Sequence, residues 1–279
     1  MDMALPRILA GLVLSLIVGY LGYRRGSLAP SGLLGATLVG TVTLGLGGWD
    51  WGVLVVGFFI GSSALSHWRE REKASLAEKF QKGHRRDLGQ TLANGGWGMI
   101  LASVYAWHPS PQVYLAFVGA MAAVNADTWA TEVGMLSRSL PRLITTGRPV
   151  PAGTSGALSP LGTGAALAGA AFIGLLAAVL SLWVPPVGGL RDAAWLLPLA
   201  TMSGLAGALA DSLLGATVQG IYHCPHCRKE TERRVHGCGR ATVLVRGWRW
   251  LDNDLVNFLS AAVGGIVAAG LGRWIILPR

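Results

Sequence analysis

The sequence predicts an all-α fold: a polytopic membrane helix bundle of about eight transmembrane helices with basic cytoplasmic loops. Three observations predict it. Of the 279 residues, 52% are hydrophobic and only 13% are charged, against roughly 25% charged in a soluble domain. Eight apolar runs each approach the ~20 residues that a bilayer requires. Basic residues gather in alternate connections between those runs. The net charge of +9 would suit a nucleic-acid binder if it were spread over a polar surface. Here it falls between apolar spans, so the expected partner is the lipid bilayer and not nucleic acid. Forty glycines suit closely packed membrane helices, and residues 1–279 read as a single integral membrane domain.

The spans are predicted at 8–23, 31–48, 51–67, 91–107, 112–136, 160–184, 192–222 and 253–277. Arg7 precedes the first span and Arg24 with Arg25 follows it. No small-residue cleavage site is evident, so this span reads as a retained helix and not a removed leader. The loop 68–90 holds Arg69, Arg71, Lys73, Lys79, Lys82, Arg85 and Arg86. The loop 137–159 holds Arg138, Arg142 and Arg148, and the loop 223–252 holds seven more basic residues. Nineteen of the 23 Lys and Arg lie in these loops and after span one. The positive-inside rule then predicts a multi-pass protein of the cell (inner) membrane, with both termini outside and the basic loops in the cytoplasm.

Polar residues inside apolar spans mark where chemistry is expected. The stretch 125–134 places Asp127 and Glu132 within an apolar run. At 100° per residue these acids share an arc of roughly 160° with Asn125, Thr128 and Thr131. A charged side chain at mid-bilayer costs about 2.5–3.5 kcal/mol, and such residues usually face an interior site. Span seven repeats the theme: Asp211 and Ser212 share a helical face with Gly204, Gly207, Gly215 and Gln219. Small residues at this spacing let a second helix approach. The Ala-Asp-Thr of 126–128 and the Ala-Asp-Ser of 210–212 echo each other, which suggests carboxylates facing across a packed helix pair. Span eight opens with Asn253, Asp254 and Asn257 on one arc, and Asp252 stands where a helix cap is expected.

Two loops have the composition of phosphate sites. In the first, Lys82, Arg85, Arg86 and Asp87 precede Gln90, Asn94 and paired glycines at a helix start. Arginine forks and helix N-terminal amides bind phosphate oxygens. A solvated loop that reads anionic headgroups is the plainer alternative. In the second, Arg148 precedes Gly153, Thr154, Ser155 and Gly156, with Thr163 beyond. Glycines allow close backbone approach and hydroxyls bind phosphate oxygens, although no Walker A lysine follows; a re-entrant linker is the alternative. A third loop carries Cys224, Cys227, His236 and Cys238, a Cys-x2-Cys and a His-x-Cys that would complete a tetrahedral Zn²⁺ site. Reduced thiols without a metal are the alternative there.

Five segments, 87–95, 125–134, 153–163, 207–217 and 252–257, together resemble the DUF92 family of multi-pass membrane proteins. That family includes the transmembrane protein 19 group and the chloroplast phytyl-phosphate kinases. The resemblance runs from about residue 28 to the C-terminus. Family members do not all carry the cysteine loop, which implies a local structural role for it. The Ala-Asp-Thr/Ser pattern is also similar, more weakly, to CTP-dependent lipid kinases and cytidylyltransferases.

The resemblance implies an isoprenoid (polyprenyl or phytyl) monophosphate kinase that takes its phosphoryl group from a nucleoside triphosphate such as CTP. It implies an isoprenoid phosphate substrate and Mg²⁺ as cofactor. The residues suit this chemistry independently, because phosphoryl transfer depends on positioning and charge neutralisation. Asp127, Glu132 and Asp211 are the expected Mg²⁺ ligands and catalytic acids. The expected phosphate-binding set is Lys82, Arg85, Arg86, Asp87, Gln90, Asn94, Asn125, Thr128, Arg148, Gly153, Thr154, Ser155, Gly156, Thr163, Ser212, Asn253, Asp254 and Asn257. A secondary transporter is the first competing reading, since intramembrane acids and broken helices also mark carriers. It calls for inverted halves, of which only the Ala-Asp echo is found. A non-catalytic scaffold is the second, and it leaves the clustered acids unexplained.

Overall fold

The computed structural model describes residues 4–70, 72–73, 85–184 and 190–275. Among the described residues it has eight long helices: α1 (Ala4–Arg24), α2 (Pro30–Val42, continued by a π turn at Thr43–Gly47), α3 (Trp49–His67), α4 (Leu88–Trp107), α5 (Pro111–Gly134), α6 (Pro160–Leu180), α7 (Leu190–Thr217) and α8 (Asn253–Ile275). Each predicted span has its helix. Seven are long and apolar enough to cross a membrane. The exception is α4, whose first two turns carry Gln90, Thr91 and Asn94.

Local chemistry sets the helix starts. Proline opens α2, α5 and α6, where its missing N–H loses no hydrogen bond. Asp87 accepts from the Gln90 backbone N–H while the Gln90 side chain accepts from the Asp87 N–H, a reciprocal capping box for α4. Ser159 caps α6 and Asp252 caps α8 by the same kind of bond.

Helix α5 is the centre of the bundle and packs against α3, α4, α6, α7 and α8. Its residues from Phe117 to Ala126 are buried on every side, as expected of a helix apolar all round. Its apolar face therefore meets other helices and not lipid. Two glycines allow the closest approaches. A Cβ at Gly119 would lie 2.3 Å from the Ala268 Cβ of α8, and one at Gly207 would lie 2.3 Å from the Ala123 Cβ of α5. Small residues thus bring three helix backbones together, and the Gly207 contact carries Asp211 toward Asp127. At the periphery, α1 exposes Leu9, Val13, Ile17 and Leu21, a surface that only lipid satisfies.

Two small sheets modify the all-helical expectation. Strands β1 (Arg142–Leu143) and β2 (Ala157–Leu158) pair antiparallel in the α5–α6 connection. This ordered hairpin stands where a flexible linker was the alternative. Strands β3 (Ile221–Cys224), β4 (Lys229–Thr231) and β5 (Val243–Arg246) form an antiparallel sheet, β3 central, between α7 and α8. Span seven was predicted to run to 222, but α7 ends at Thr217. Ile221 and Tyr222 prolong the apolar run as buried strand residues, so apolarity alone hides the boundary.

Candidate functional site

The segments singled out in the sequence converge at one end of the bundle. There α3, α5 and α7 end and α4, α6 and α8 begin, around a cavity of about 290 Å³. Helix α5 contributes Asp127, Thr128 and Glu132, and α7 contributes Asp211 and Ser212. Asn253, Asp254 and Asn257 come from the first two turns of α8, Gln90 and Asn94 from α4, and Thr163 from α6. Arg86 and the segment containing Gly153, Thr154, Ser155 and Gly156 complete much of the wall.

Asp127 and Asp211 lie close enough to interact electrostatically, and both also interact with Glu232. Glu232 follows β4 directly and lines the same cavity. Gln219 Nε2 donates to Glu232 Oε1 at 2.9 Å. Ser260 Oγ donates to Asp211 Oδ2 at 3.2 Å. The third carboxylate facing Asp127 and Asp211 is therefore Glu232, a residue outside the predicted set. Nothing around Thr231-Glu232-Arg233-Arg234 distinguishes it from a solvated loop acid. Its signal would have been its position after a strand that leaves the cysteine knuckle.

Glu132 is engaged differently from the expectation. Lys73 Nζ reaches Glu132 Oε2 at 2.5 Å, and Ser66 Oγ donates to Glu132 Oε1 at 2.6 Å. The same Lys73 ammonium donates to the Leu65 and Ser66 carbonyls at the end of α3. Both Glu132 oxygens thus lock α5 to α3, which sets this acid apart from the other two.

Several predicted phosphate ligands hold structure instead. Asn125 is fully buried outside the cavity, and its Nδ2 donates to the Gly169 carbonyl of α6 at 2.7 Å. Asp87 caps α4. Arg85 is exposed, lies over the Tyr23 ring at 5.9 Å and donates to the Leu28 carbonyl. Arg148 is exposed in the α5–α6 connection, away from the cavity. Lys82 lies outside the described residues. Thr154 Oγ1 donates to the Pro151 carbonyl and shapes its own loop, whereas Ser155 Oγ donates to Gln219 Oε1 and ties that loop to the segment after α7. Gln219 itself sits past the end of α7.

Arg86 is the basic residue best placed at the cavity. It is only 8% exposed, and its Nη1 donates to Ser63 Oγ at 3.1 Å. Its backbone is latched to the α1–α2 turn: its N–H donates to the Ser27 carbonyl and its carbonyl accepts from Ala29. A Cβ at Gly32 would fall 1.9 Å from that carbonyl oxygen, so only glycine fits beneath the latch. Burial pulls the Arg86 pKa down from its ordinary value, and the nearby Glu132 carboxylate opposes that shift. The left-handed Gly156 closes the opposite wall against Ala216 of α7, where a Cβ would meet backbone at 2.5 Å.

Arg86 and Asn94 also line a second, apolar groove of about 70 Å³, walled by Val18, Val39, Val55, Phe58, Phe59 and Met121 among others. The polar cavity and the apolar groove share these two residues.

The family model described as integral membrane protein DUF92 matches residues 13–265. Among characterised and uncharacterised relatives, the chain is 32% identical over 273 residues to Protein PGR of Arabidopsis thaliana, covering 91% of this chain and 92% of that protein. It is 28% identical over 264 residues to an uncharacterized membrane protein of Methanocaldococcus jannaschii, covering 94% and 93%. It is 27% identical over 256 residues to Protein VTE6, chloroplastic, of Arabidopsis thaliana, covering 89% of this chain and 66% of the relative. No solved structure matches.

Proposed function

The chain belongs to the DUF92 family of integral membrane proteins, and from that premise we propose that it is an isoprenoid-monophosphate kinase working at the cytoplasmic face of the cell membrane. The observation that carries this reading is the meeting of Asp127, Asp211 and Glu232 in one cavity with Arg86 and a glycine loop, beside an apolar groove. A greasy phosphate needs such a pair of compartments, one for the charged head and one for the start of the tail. The positive-inside argument puts the cavity end in the cytoplasm, where nucleoside triphosphates are found.

The donor set fits a hard divalent cation. The three acids and the amide and carboxylate oxygens of Asn253, Asp254 and Asn257 are all oxygen donors, and among the described residues the cavity wall holds no thiol or imidazole. Asp127, Asp211 and Glu232 would hold Mg²⁺, which when bound supplies charge neutralisation on the phosphate oxygens. Arg86 binds the acceptor phosphate at the mouth of the apolar groove. The glycine loop lies against the triphosphate and excludes water from it. Glu132 and Lys73 hold the end of α5 so that Asp127 keeps its aim.

In the reaction an ionised oxygen of the prenyl phosphate attacks the γ-phosphorus. A P–O bond forms there as the bond to the β–γ bridging oxygen breaks, and the nucleoside diphosphate leaves with that electron pair. The attacking oxygen is already ionised near neutral pH, so no side chain has to remove a proton.

The test supplies purified protein in detergent with γ-labelled CTP or ATP, Mg²⁺, and phytyl, farnesyl or geranylgeranyl monophosphate. Labelled prenyl diphosphate that vanishes on EDTA addition is the expected result. Absence of product with every donor and acceptor, together with substrate-dependent flux in proteoliposomes, would establish a carrier instead.

A further inference from the structure

We propose that Cys224, Cys227, His236 and Cys238 form a structural Zn²⁺ site whose task is to hold Glu232 in place. One ligand atom from each residue lies within 4.8 Å of all the others. The Cys224 and Cys238 sulfurs are 3.8 Å apart and all three cysteines are free. A tetrahedron with Zn–S bonds near 2.3 Å has an S–S edge of about 3.8 Å. His223 and His226, adjacent in sequence, lie outside the four-ligand set.

The backbone is shaped for a metal at both ligand pairs. Cys224 ends β3, and the Arg228 N–H returns to the Cys224 carbonyl at 2.8 Å to close a tight turn. Arg228 takes a left-handed conformation there, with φ 54°. The Cys227 N–H points at Cys224 Sγ from 3.4 Å, the kind of second-shell contact that steadies a ligating sulfur. The other pair sits on a turn closed by the His236 N–H to the Arg240 carbonyl and the Gly239 N–H to the His236 carbonyl. The Cys238 N–H points at His236 Nδ1, which leaves Nε2 as the ligating nitrogen.

Glu232 lies between these two turns in the chain. On one side β4 runs back to the first turn; on the other, Thr242 Oγ1 donates to the Arg233 and Arg234 carbonyls and ties the strand leading to His236. A metal that joins the turns therefore fixes both ends of the segment carrying Glu232. The segment reaches the bundle through the Glu232–Gln219–Ser155 hydrogen-bond chain. The outer strands of the sheet bury little: β5 is mostly exposed and β4 buries only Thr231, which leaves Ile221, Tyr222 and Cys224 of β3 as most of its core. A small sheet with so little core is the setting in which a bound metal supplies the fold.

The experiment measures metal in the full-length protein purified in detergent from zinc-supplemented cells, by inductively coupled plasma mass spectrometry. About one Zn²⁺ per chain is expected. Cys224→Ser and Cys238→Ser should lose it, His236→Cys should keep it, and His226→Ala should keep it. Trypsin then reads the segment directly: stripping the wild-type protein with a strong chelator should speed cleavage after Arg233 and Arg234 at least tenfold, and added Zn²⁺ should restore protection. Metal-free protein, a Cys224–Cys238 disulfide in fresh protein, or full zinc in the two serine variants would overturn the site. Unchanged cleavage on stripping would overturn its role in holding Glu232. Neither readout depends on kinase activity.

Discussion

The two ends of helix α5 obey opposite rules. Its first half is closed: Phe117 stacks on Trp51 at 4.1 Å between centroids, Tyr114 meets the same indole edge-on, and Gly119 lets α8 approach to backbone contact. Its last turns open onto a cavity and carry four polar side chains, Asp127, Thr128, Thr131 and Glu132, to its wall. The closed end has the density that makes a core stable. The open end gathers like charges, which no stability argument favours. A helix that is costly at one end and tightly packed at the other is being held in position by the second for the sake of the first.

This contrast is broken most sharply by neutralising the acids. Asp127→Asn and Asp211→Asn should each lower kcat/KM for prenyl-phosphate phosphorylation on the order of 10³-fold, about 4 kcal/mol of transition-state stabilisation. The apparent melting temperature in detergent should rise by about 2–4 °C, since removing a charge from a cluster of like charges relieves repulsion. An activity loss accompanied by a lower melting temperature would make these acids structural.

Next comes the closed end. Gly119→Val would drive a branched side chain into Ala268 and the Gly264 carbonyl. Overpacking usually costs about 1–3 kcal/mol, and here the obstacle is backbone, so the upper part of that range is expected. Thermal unfolding in detergent should show a lower midpoint, with kcat falling only in proportion to the folded fraction.

The difference between the ends also explains what was legible in the sequence. The eight helices were, because each is a long apolar run bounded by proline, glycine or charge. The meeting of Asp127, Asp211, Asn253, Asp254 and Asn257 was foreshadowed by helical spacing, since each acid shares an arc with small or polar residues. Glu132 satisfies the same arc, yet its partners Ser66 and Lys73 come from the end of α3 and beyond, a contact that periodicity within α5 cannot show. Glu232 is brought in by a sheet whose strands are three or four residues long. Asp87 and Gln90 carried a readable signal of another kind: an acid followed three residues later by glutamine is a helix-capping pattern.

Glu132 and Lys73 lie at the seam between the two regimes, and a double-mutant cycle separates their roles. Lys73→Met leaves Glu132 with Ser66 as its hydrogen-bond donor and should cost about 2 kcal/mol. Glu132→Leu with Lys73→Met should recover part of that loss, because neither member of the pair is left without the other, while Arg86 loses its nearby carboxylate. The melting temperatures of the four proteins give the coupling. Retention of measurable kcat in the double variant would keep Glu132 as a positioning residue, whereas loss equal to that of Asp127→Asn would make it a metal ligand.

The smallest effect distinguishes two neighbours that the sequence treats alike. Arg85 and Arg86 are adjacent, equally charged and equally placed before α4, but Arg85 turns out over Tyr23 while Arg86 turns in toward Ser63 and the cavity. Arg86→Lys keeps the charge and removes the planar fork that holds a phosphate by two parallel bonds. KM for the prenyl phosphate should rise about tenfold with kcat nearly unchanged, which corresponds to about 1.4 kcal/mol of binding lost equally from ground and transition states. Arg85→Lys should leave both constants within about twofold, the range of a surface substitution. If the two variants behave alike, the phosphate is read by the general positive potential of the loop, and the inward turn of the Arg86 side chain serves its hydrogen bond to Ser63 alone.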